Sequence, residues 1–394
     1  MPLGNEIGKF LWAIGEQTDG FKFGKPWRNS SKSLGLVIPI LREKDIKRKY
    51  QMMEEAKGKI DIKDTGSVNV MRVFSNADVN VFIRSGVILS GAGQTRATVS
   101  GMVVIPNSNQ DIDVKCVYAS KPTHAGAKME AVDVAPPIVM QSLHDSQRDT
   151  WNAVSYFAQT SGIRARHGGG SRMHARLGFS GEDRVIGSAM HFDEQESVSD
   201  DLLGVMKEVE KSQKSVEGAI KDIPVMKDQV GAIIFDVDSI VGFEVFDSPK
   251  SWAAMHQKVL SKYGEVIRKE QEDMLFELKP EVVPKKISEF IEELTKSDEK
   301  TTHTNEVSKT IVIDGDRHVG EYTMIGADVI HVIAFKRERA REQRQSARPV
   351  TEQNRRTRIR SSLDDDEDVP RRREQSVHVG ILNPFERNRY RCFY

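Results

Sequence analysis

Residues 111–118 read Asp-Ile-Asp-Val-Lys-Cys-Val-Tyr, and the alternation in this stretch decides the fold class. The even positions carry Ile, Val, Cys and Tyr, whereas the first three odd positions carry charged side chains. A period of two is typical of a β-strand that buries one face. Cys116 lies on the apolar face, so we expect it to be a small buried hydrophobic residue.

Further short strand patterns surround this one between residues 34 and 120. They lie at residues 36–40, 67–74, 80–84 and 98–105. Successive strands without intervening helices favour an antiparallel sheet over a parallel, doubly wound one. We therefore predict an α+β fold with packed helices and mostly antiparallel sheets, arranged as a sandwich or a partial barrel.

Helical and strand patterns alternate in the second half of the chain. Apolar residues recur near helical spacing over 142–161, 200–220, 248–267 and 285–296. Two hairpins are predicted, over 229–246 and 310–335. Residues 121–137 show neither period and are predicted to be irregular.

Composition divides the chain into three parts. We predict an N-terminal arm (1–33), an α+β body (34–335) and a basic tail (336–394). The body has a β-rich part (34–120), followed by helices and a second β unit (121–335). The tail holds 16 basic and 10 acidic residues and little apolar content before its aromatic end. Such a segment cannot build a core, so the tail is predicted to be disordered.

The overall composition excludes several classes of protein. The 394 residues include 58 basic and 58 acidic side chains but only two cysteines, too few for a disulfide framework. The ten histidines have no zinc-ligand spacing, and neither a metal nor a cofactor is predicted. No signal peptide and no apolar run of about 18 residues is visible, so we expect a cytoplasmic protein without membrane contact.

The stretch 85–96, Ser-Gly-Val-Ile-Leu-Ser-Gly-Ala-Gly-Gln-Thr-Arg, is the strongest candidate for ligand binding. Its glycines permit positive φ and close backbone approach, and its glutamine and arginine supply donors. It has neither the P-loop ending nor the dinucleotide-binding glycine spacing. The candidate ligand-binding residues are Gly86, Gly91, Gly93, Gln94 and Arg96. The alternative is a glycine-rich hairpin corner in which Arg96 ties two loops together.

The same stretch carries a family resemblance. Together with Val103-Val-Ile-Pro106 and Val114-Lys-Cys-Val117, it resembles the core motif of the ADP-ribosylglycohydrolase- and rhodanese-phosphatase-associated protein family. Further similar stretches lie at 150–154, 241–249 and 326–335, in the same order. The family is named for gene neighbours that act on ADP-ribose derivatives and phosphates, so the resemblance implies a ligand of that chemistry.

The resemblance also identifies further positions of possible function. Besides Gly91, Gln94 and Arg96 of the candidate loop, the resemblance covers Cys116, Trp151, Asp247 and His331. Two charged positions of the motif are replaced, because Val87 stands for its glutamate and Gly93 for its lysine. If those two charges serve catalysis elsewhere in the family, this chain lacks them.

These observations lead to three hypotheses. The first is a non-catalytic binding protein for a phosphate-bearing ligand, such as a nucleotide or ADP-ribose derivative. Arg96 would pair with the anion, glycine amides would line it, and Gln94 would bind the sugar or base. The second is a hydrolase of ADP-ribose-like substrates with Cys116 or His331 as its reactive group. The third is a tether that binds nucleic acid or an acidic protein through residues 336–394.

Overall fold

The structure is a computed structural model that describes residues 5–30, 32–44, 46–118, 123–161, 201–212, 220, 223–270 and 280–337. In these residues the chain forms 17 strands and seven α-helices, and all but one of the strand pairs are antiparallel. The predicted α+β, mostly antiparallel fold is therefore confirmed. The basic tail lies outside the described residues from 338 onward, and its disorder and partners stay predictions.

Six strands close into a barrel. In the order around the barrel they are β10 (Asn109–Cys116), β5 (Val70–Ser75), β4 (Ile60–Asp64), β11 (Lys128–Val134), β7 (Val87–Gly91) and β8 (Gln94–Thr98). The predicted partial barrel is thus fully closed. The prediction of an irregular segment over 121–137 is wrong for β11. Only two of its seven residues are buried and a bulge interrupts it, so its sequence shows no clear period of two.

An eight-stranded antiparallel sheet forms the second large element. Its order is β1 (Phe21–Phe23), β2 (Gly35–Arg42), β12 (Gln229–Asp236), β13 (Ser239–Phe246), β17 (Asp328–Lys336), β16 (His318–Ile325), β15 (Ser308–Asp314) and β14 (Asp298–Thr304). The predicted hairpin over 229–246 is confirmed. The predicted hairpin over 310–335 is instead a three-stranded meander, because β16 lies between β15 and β17 and pairs with both. That strand buries Glu321 and Thr323, whose polarity hides the strand pattern.

A small sheet lies between the two large elements. It contains β3 (Gln51–Met52), β6 (Val81–Ile83) and β9 (Met102–Val104). Val81, Ile83 and Val104 pack in one cluster with the interior side chains of the barrel. The small sheet therefore covers the end of the barrel at which β7 begins.

Helices cover both faces of the eight-stranded sheet. On one face, α1 (Asn5–Gly15) and α7 (Val283–Thr295) pack in a common core with it. A short 3₁₀-helix, Pro280–Val282, precedes α7. The face toward the barrel packs against α5 (Pro249–Ser261) and α6 (Gly264–Arg268). The single helix predicted over 248–267 is thus two helices.

The remaining helices lie near the barrel. They are α2 (Pro137–Met140), α3 (Gln147–Thr160) and α4 (Leu202–Ser212). The helix predicted over 142–161 begins later, because Ser146 caps α3 by accepting a hydrogen bond from the Asp149 amide. None of the helices in the described part of the chain combines the length and apolar character needed to cross a membrane.

Candidate functional site

The strand register places three predicted site residues on one inner wall of the barrel. Arg96 pairs with Leu89 on one side and with Cys116 on the other, and Leu89 belongs to the barrel core. Directly paired residues share a face of the sheet, and so do residues two apart on one strand. Gln94, Arg96 and Cys116 therefore point inward, at the end opposite the small sheet.

Asp64 completes this polar end of the barrel. Its carboxylate accepts hydrogen bonds from the backbone N–H groups of Gly66 and His124, both at 2.7 Å, and from Gln94 Nε2 at 3.0 Å. Burial alone would raise the pKa of this carboxyl. The three hydrogen bonds and the nearby Arg96 guanidinium nevertheless hold its pKa below the ordinary value. Asp64 is therefore a buried carboxylate that fixes the Gln94 amide.

Arg96 is the least compensated charge at this end. Its side chain is fully buried. Nη1 donates to Cys116 Sγ at 2.8 Å and to the Thr95 carbonyl at 3.4 Å, both neutral acceptors. Within the described residues, Nε has no hydrogen-bond partner and no carboxylate forms an ion pair with this guanidinium. A buried cation normally has an anionic partner at hydrogen-bond distance.

Cys116 and Trp151 meet beside Arg96. The Cys116 thiol donates to the Tyr118 carbonyl at 2.8 Å, and burial raises its pKa although Arg96 opposes this. The Gln147 side chain bonds both the N–H and the carbonyl of Cys116, which joins α3 to the end of β10. Trp151 lies one turn further along α3. Its indole N–H approaches the sulfur without reaching hydrogen-bond geometry.

The three predicted glycines have different roles. A Cβ on Gly86 would lie 1.8 Å from Met140 Sδ, and one on Gly91 would lie 2.2 Å from the Lys128 carbonyl oxygen. Close packing against the backbone requires glycine at position 91, whereas at position 86 the left-handed φ of +69°, with Met140 packed against the residue, favours glycine. Gly93 has φ +73° in the exposed turn between β7 and β8, where a Cβ would meet open space. Among these glycines, Gly93 is the one whose backbone faces solvent.

Asp247 and His331 lie away from the barrel end, on the eight-stranded sheet. The Tyr50 hydroxyl donates to Asp247 Oδ1 at 2.6 Å, and burial raises the pKa of Asp247 to about 6. His331 is fully buried, with Nε2 3.0 Å from Glu244 Oε1. The structure therefore divides the predicted residues between two places.

The cluster around His331 includes charged residues that the sequence analysis missed. Arg84 follows β6 and forms a bidentate ion pair with Glu244 of β13, at 2.6 and 2.9 Å. Burial opposes ionisation of Glu244, but Arg84 and His331 lower its pKa to about 2. The rings of Phe82 and Phe246 flank the imidazole of His331. The overlooked signal was a lone charge within or directly after an apolar strand.

Glu321 extends this cluster toward the surface. One carboxylate oxygen accepts the Gly101 N–H at 3.0 Å, and the other lies 3.3 Å from His144 Nε2. Although the two clusters contain several ionisable groups, the described residues hold no group of three or more His, Cys, Asp and Glu side chains arranged to bind a metal ion. What the barrel end offers is a guanidinium, a free amide oxygen and an exposed glycine turn.

A comparison with known families places the whole body in one domain type. A family model described as the ARG and Rhodanese-Phosphatase-superfamily-associated Protein domain matches residues 21–335. The matched range runs from β1 into β17 and includes the barrel and the polar end just described. No curated protein matches the chain, and no solved structure matches it.

Proposed function

This chain belongs to the ARG and Rhodanese-Phosphatase-superfamily-associated Protein family, as the resemblance predicted, and we propose that it binds a phosphate-bearing ligand without chemically converting it. The family is associated with ADP-ribosylglycohydrolase and rhodanese-phosphatase proteins, which is a loose link to ADP-ribose pathways. A nucleotide or an ADP-ribose derivative is the ligand class that fits this association.

The observation that carries the proposal is the state of Arg96. Among the described residues, its buried guanidinium donates only to a thiol sulfur and a backbone carbonyl, and Nε has no partner. The Asp64 carboxylate, whose pKa Arg96 helps to lower, already accepts hydrogen bonds from three other donors. A bound anion would supply the missing partner. Phosphate suits a guanidinium because its oxygens match the planar donor fork.

The rest of the barrel end supports the same ligand. The turn formed by Ala92 and Gly93 is exposed next to Gln94, so its backbone is accessible. Gly86 and Gly91 have packing roles, and we assign them to the framework rather than to ligand contact. Gln94 would bind a hydroxyl of the sugar through its free oxygen.

A hydrolase is less well supported by these residues. A cysteine nucleophile acts as the thiolate, whereas burial raises the pKa of the Cys116 thiol and its proton is donated to Tyr118. His331 lies in the separate cluster with Glu244 and Arg84. The tether hypothesis concerns residues outside the described part of the chain and stays a prediction.

Thermal unfolding of the full chain tests the proposal. Wild type would be screened against nucleotides, NAD, ADP-ribose and sugar phosphates. A ligand at about 100 times its Kd adds about 2.7 kcal/mol and raises the midpoint by several degrees. We expect at least one phosphate compound to do so, and Arg96→Met to abolish the increase.

A matched control separates binding from general effects. Arg72 lies on the outside of the same barrel, in an exposed ion pair with Asp111. Arg72→Met should keep the whole ligand-induced increase. An increase that survives in Arg96→Met, or no response of wild type to any compound, contradicts the proposed function.

A further inference from the structure

Asp64 determines how the Gln94 amide is oriented. A carboxylate can only accept hydrogen bonds, and Asp64 accepts one from Gln94 at 3.0 Å. The NH₂ group of Gln94 must therefore face Asp64, and its oxygen must face away. The two backbone N–H groups of Gly66 and His124 hold the carboxylate in place. The amide cannot exchange its ends without losing the bond to Asp64.

The Gln94 oxygen is left as a free acceptor. Oε1 is buried and has no donor among the described residues, while the whole side chain is 1 % exposed. Arg96 Nε, on the same inner face of β8 two residues further on, is likewise a donor without an acceptor in the described part of the chain. The barrel end thus holds an unfilled acceptor and an unfilled cationic donor on neighbouring side chains. Each is costly to leave buried without a partner.

A ligand that pairs with both atoms must accept a hydrogen bond from Arg96 Nε and donate one to Gln94 Oε1. It needs an anionic oxygen for Arg96 and an O–H group for Gln94. Phosphate and phosphomonoesters have a second ionisation with a pKa of about 6, so near that pH about half of the molecules keep an acidic proton, and a buried acceptor favours this form. Sulfate has the same tetrahedral shape but no proton at that pH. Its oxygens cannot donate a hydrogen bond, so the Gln94 oxygen and the Asp64 carboxylate would repel them.

The geometry points to a site that selects protonated oxyanions, binding phosphate and phosphomonoesters in preference to sulfate through Gln94. This inference rests on the proposed function, since it assumes that Arg96 binds the anion. A free phosphate and a phosphorylated sugar share this chemistry. A hydroxyl on the sugar of an ADP-ribose derivative could supply the same donor when its phosphates carry none.

Equilibrium dialysis of the full chain with radioactive inorganic phosphate at about pH 6, where about half of a phosphomonoester keeps its second proton, tests the selection. Competitors would be sulfate, methyl phosphate, dimethyl phosphate, ribose 5-phosphate and ADP-ribose. We expect methyl phosphate to displace the label at least ~10-fold better than sulfate, because sulfate leaves the buried acceptor unpaired. Dimethyl phosphate, which has no acidic proton, should compete as weakly as sulfate. The two sugar compounds show whether the donor comes from the phosphate or from a hydroxyl.

The variant Gln94→Met removes the acceptor and keeps the length of the side chain. We expect it to bind sulfate and phosphate within about threefold of each other. Gln159→Met makes the same change at an exposed position of α3 and should keep the wild-type preference. If Gln94→Met does not fold, the competition by methyl and dimethyl phosphate in wild type still shows whether the site selects ligands that carry an acidic proton.

The outcomes separate this inference from the proposed function. If phosphate and sulfate compete equally and Arg96→Met abolishes both, the anion site stands and the selection by Gln94 is wrong. If wild type binds no phosphate compound, or binds it equally well in Arg96→Met, the proposed function itself is wrong. A preference for phosphate that persists in Gln94→Met also overturns the inference.

Discussion

Arg84 precedes strand β7 and Arg96 lies in the following strand, β8; both are buried, but different partners surround them. Arg84 has a bidentate ion pair with Glu244, which in turn bonds His331. Arg96 donates to a sulfur and a carbonyl, and its Nε has no partner in the part of the chain that the structure describes. The first arginine lies between the barrel region and the eight-stranded sheet, and the second lies inside the far end of the barrel.

This difference separates a structural charge from a functional one. An ion pair that is complete within the protein joins two elements of the fold and needs nothing else. A buried cation without a bonded anion destabilises the protein until something compensates it. Perturbed and incomplete charges of this kind occur preferentially at functional sites. We therefore assign the Arg84 cluster to the framework and the Arg96 end to ligand binding.

Removing Arg84 should have the largest effect. Arg84→Met leaves Glu244 as a buried carboxylate without its cation, and we expect a loss of about 3–5 kcal/mol in the free energy of unfolding. Urea denaturation measures it. The double variant Arg84→Met/Glu244→Gln removes both charges and should recover part of the loss. If Arg84→Met is as stable as wild type, the ion pair with Glu244 does not stabilise the fold. The contrast between Arg84 and Arg96 would then be wrong.

Acid should act on the same ion pair. The pKa of Glu244 is lowered to about 2 in the folded protein from an ordinary 4.5. A lowered carboxyl pKa stabilises the fold above the unfolded-state value, and that contribution is lost as the pH falls from about 4.5 toward 2. The loss is on the order of 3 kcal/mol. Glu244→Gln should be less stable at neutral pH and show a flatter stability profile in this window. An unchanged profile would contradict the assignment.

Removing Arg96 should have the smallest effect in the absence of ligand. Because no carboxylate of the described residues bonds its guanidinium, Arg96→Met should change the free energy of unfolding by less than about 1 kcal/mol, or raise it. Urea denaturation in a buffer without phosphate or sulfate checks this. A loss as large as that of Arg84→Met would show that Asp64 already compensates Arg96, and would remove the main argument for a ligand.

The fold class was predictable because alternation in strands such as 111–118 is a local property. The closure of the barrel was not, because β11 buries few residues and its partners are distant in sequence. The strand β16 was not predictable either, because it buries the charged side chain of Glu321, and the partners that make this burial possible come from other elements of the fold. Buried polar residues are satisfied by partners from elsewhere in the chain, and a local pattern cannot show them.

The candidate site was predictable in part for the same reason. Gln94 and Arg96 were identifiable from the sequence as hydrogen-bond donors in a glycine-rich stretch. Their proximity to Cys116 follows from the pairing of β8 with β10. The pairing of Arg84 with Glu244 joins residues 160 positions apart, and no single sequence reveals it. The packing roles of Gly86 and Gly91 depend on Met140 and on the backbone of β11, which are equally invisible locally.

One NMR titration compares the two arginines directly. The side-chain Nε–Hε signals of Arg96 and Arg84 would be assigned by their loss in Arg96→Met and Arg84→Lys, and followed while phosphate is added to the full chain. The account predicts a saturable shift of the Arg96 signal at constant ionic strength, with the Arg84 signal unchanged. An Arg96 signal that does not move, or two signals that move together, would contradict the claim that Arg96 is the incomplete charge that a ligand fills.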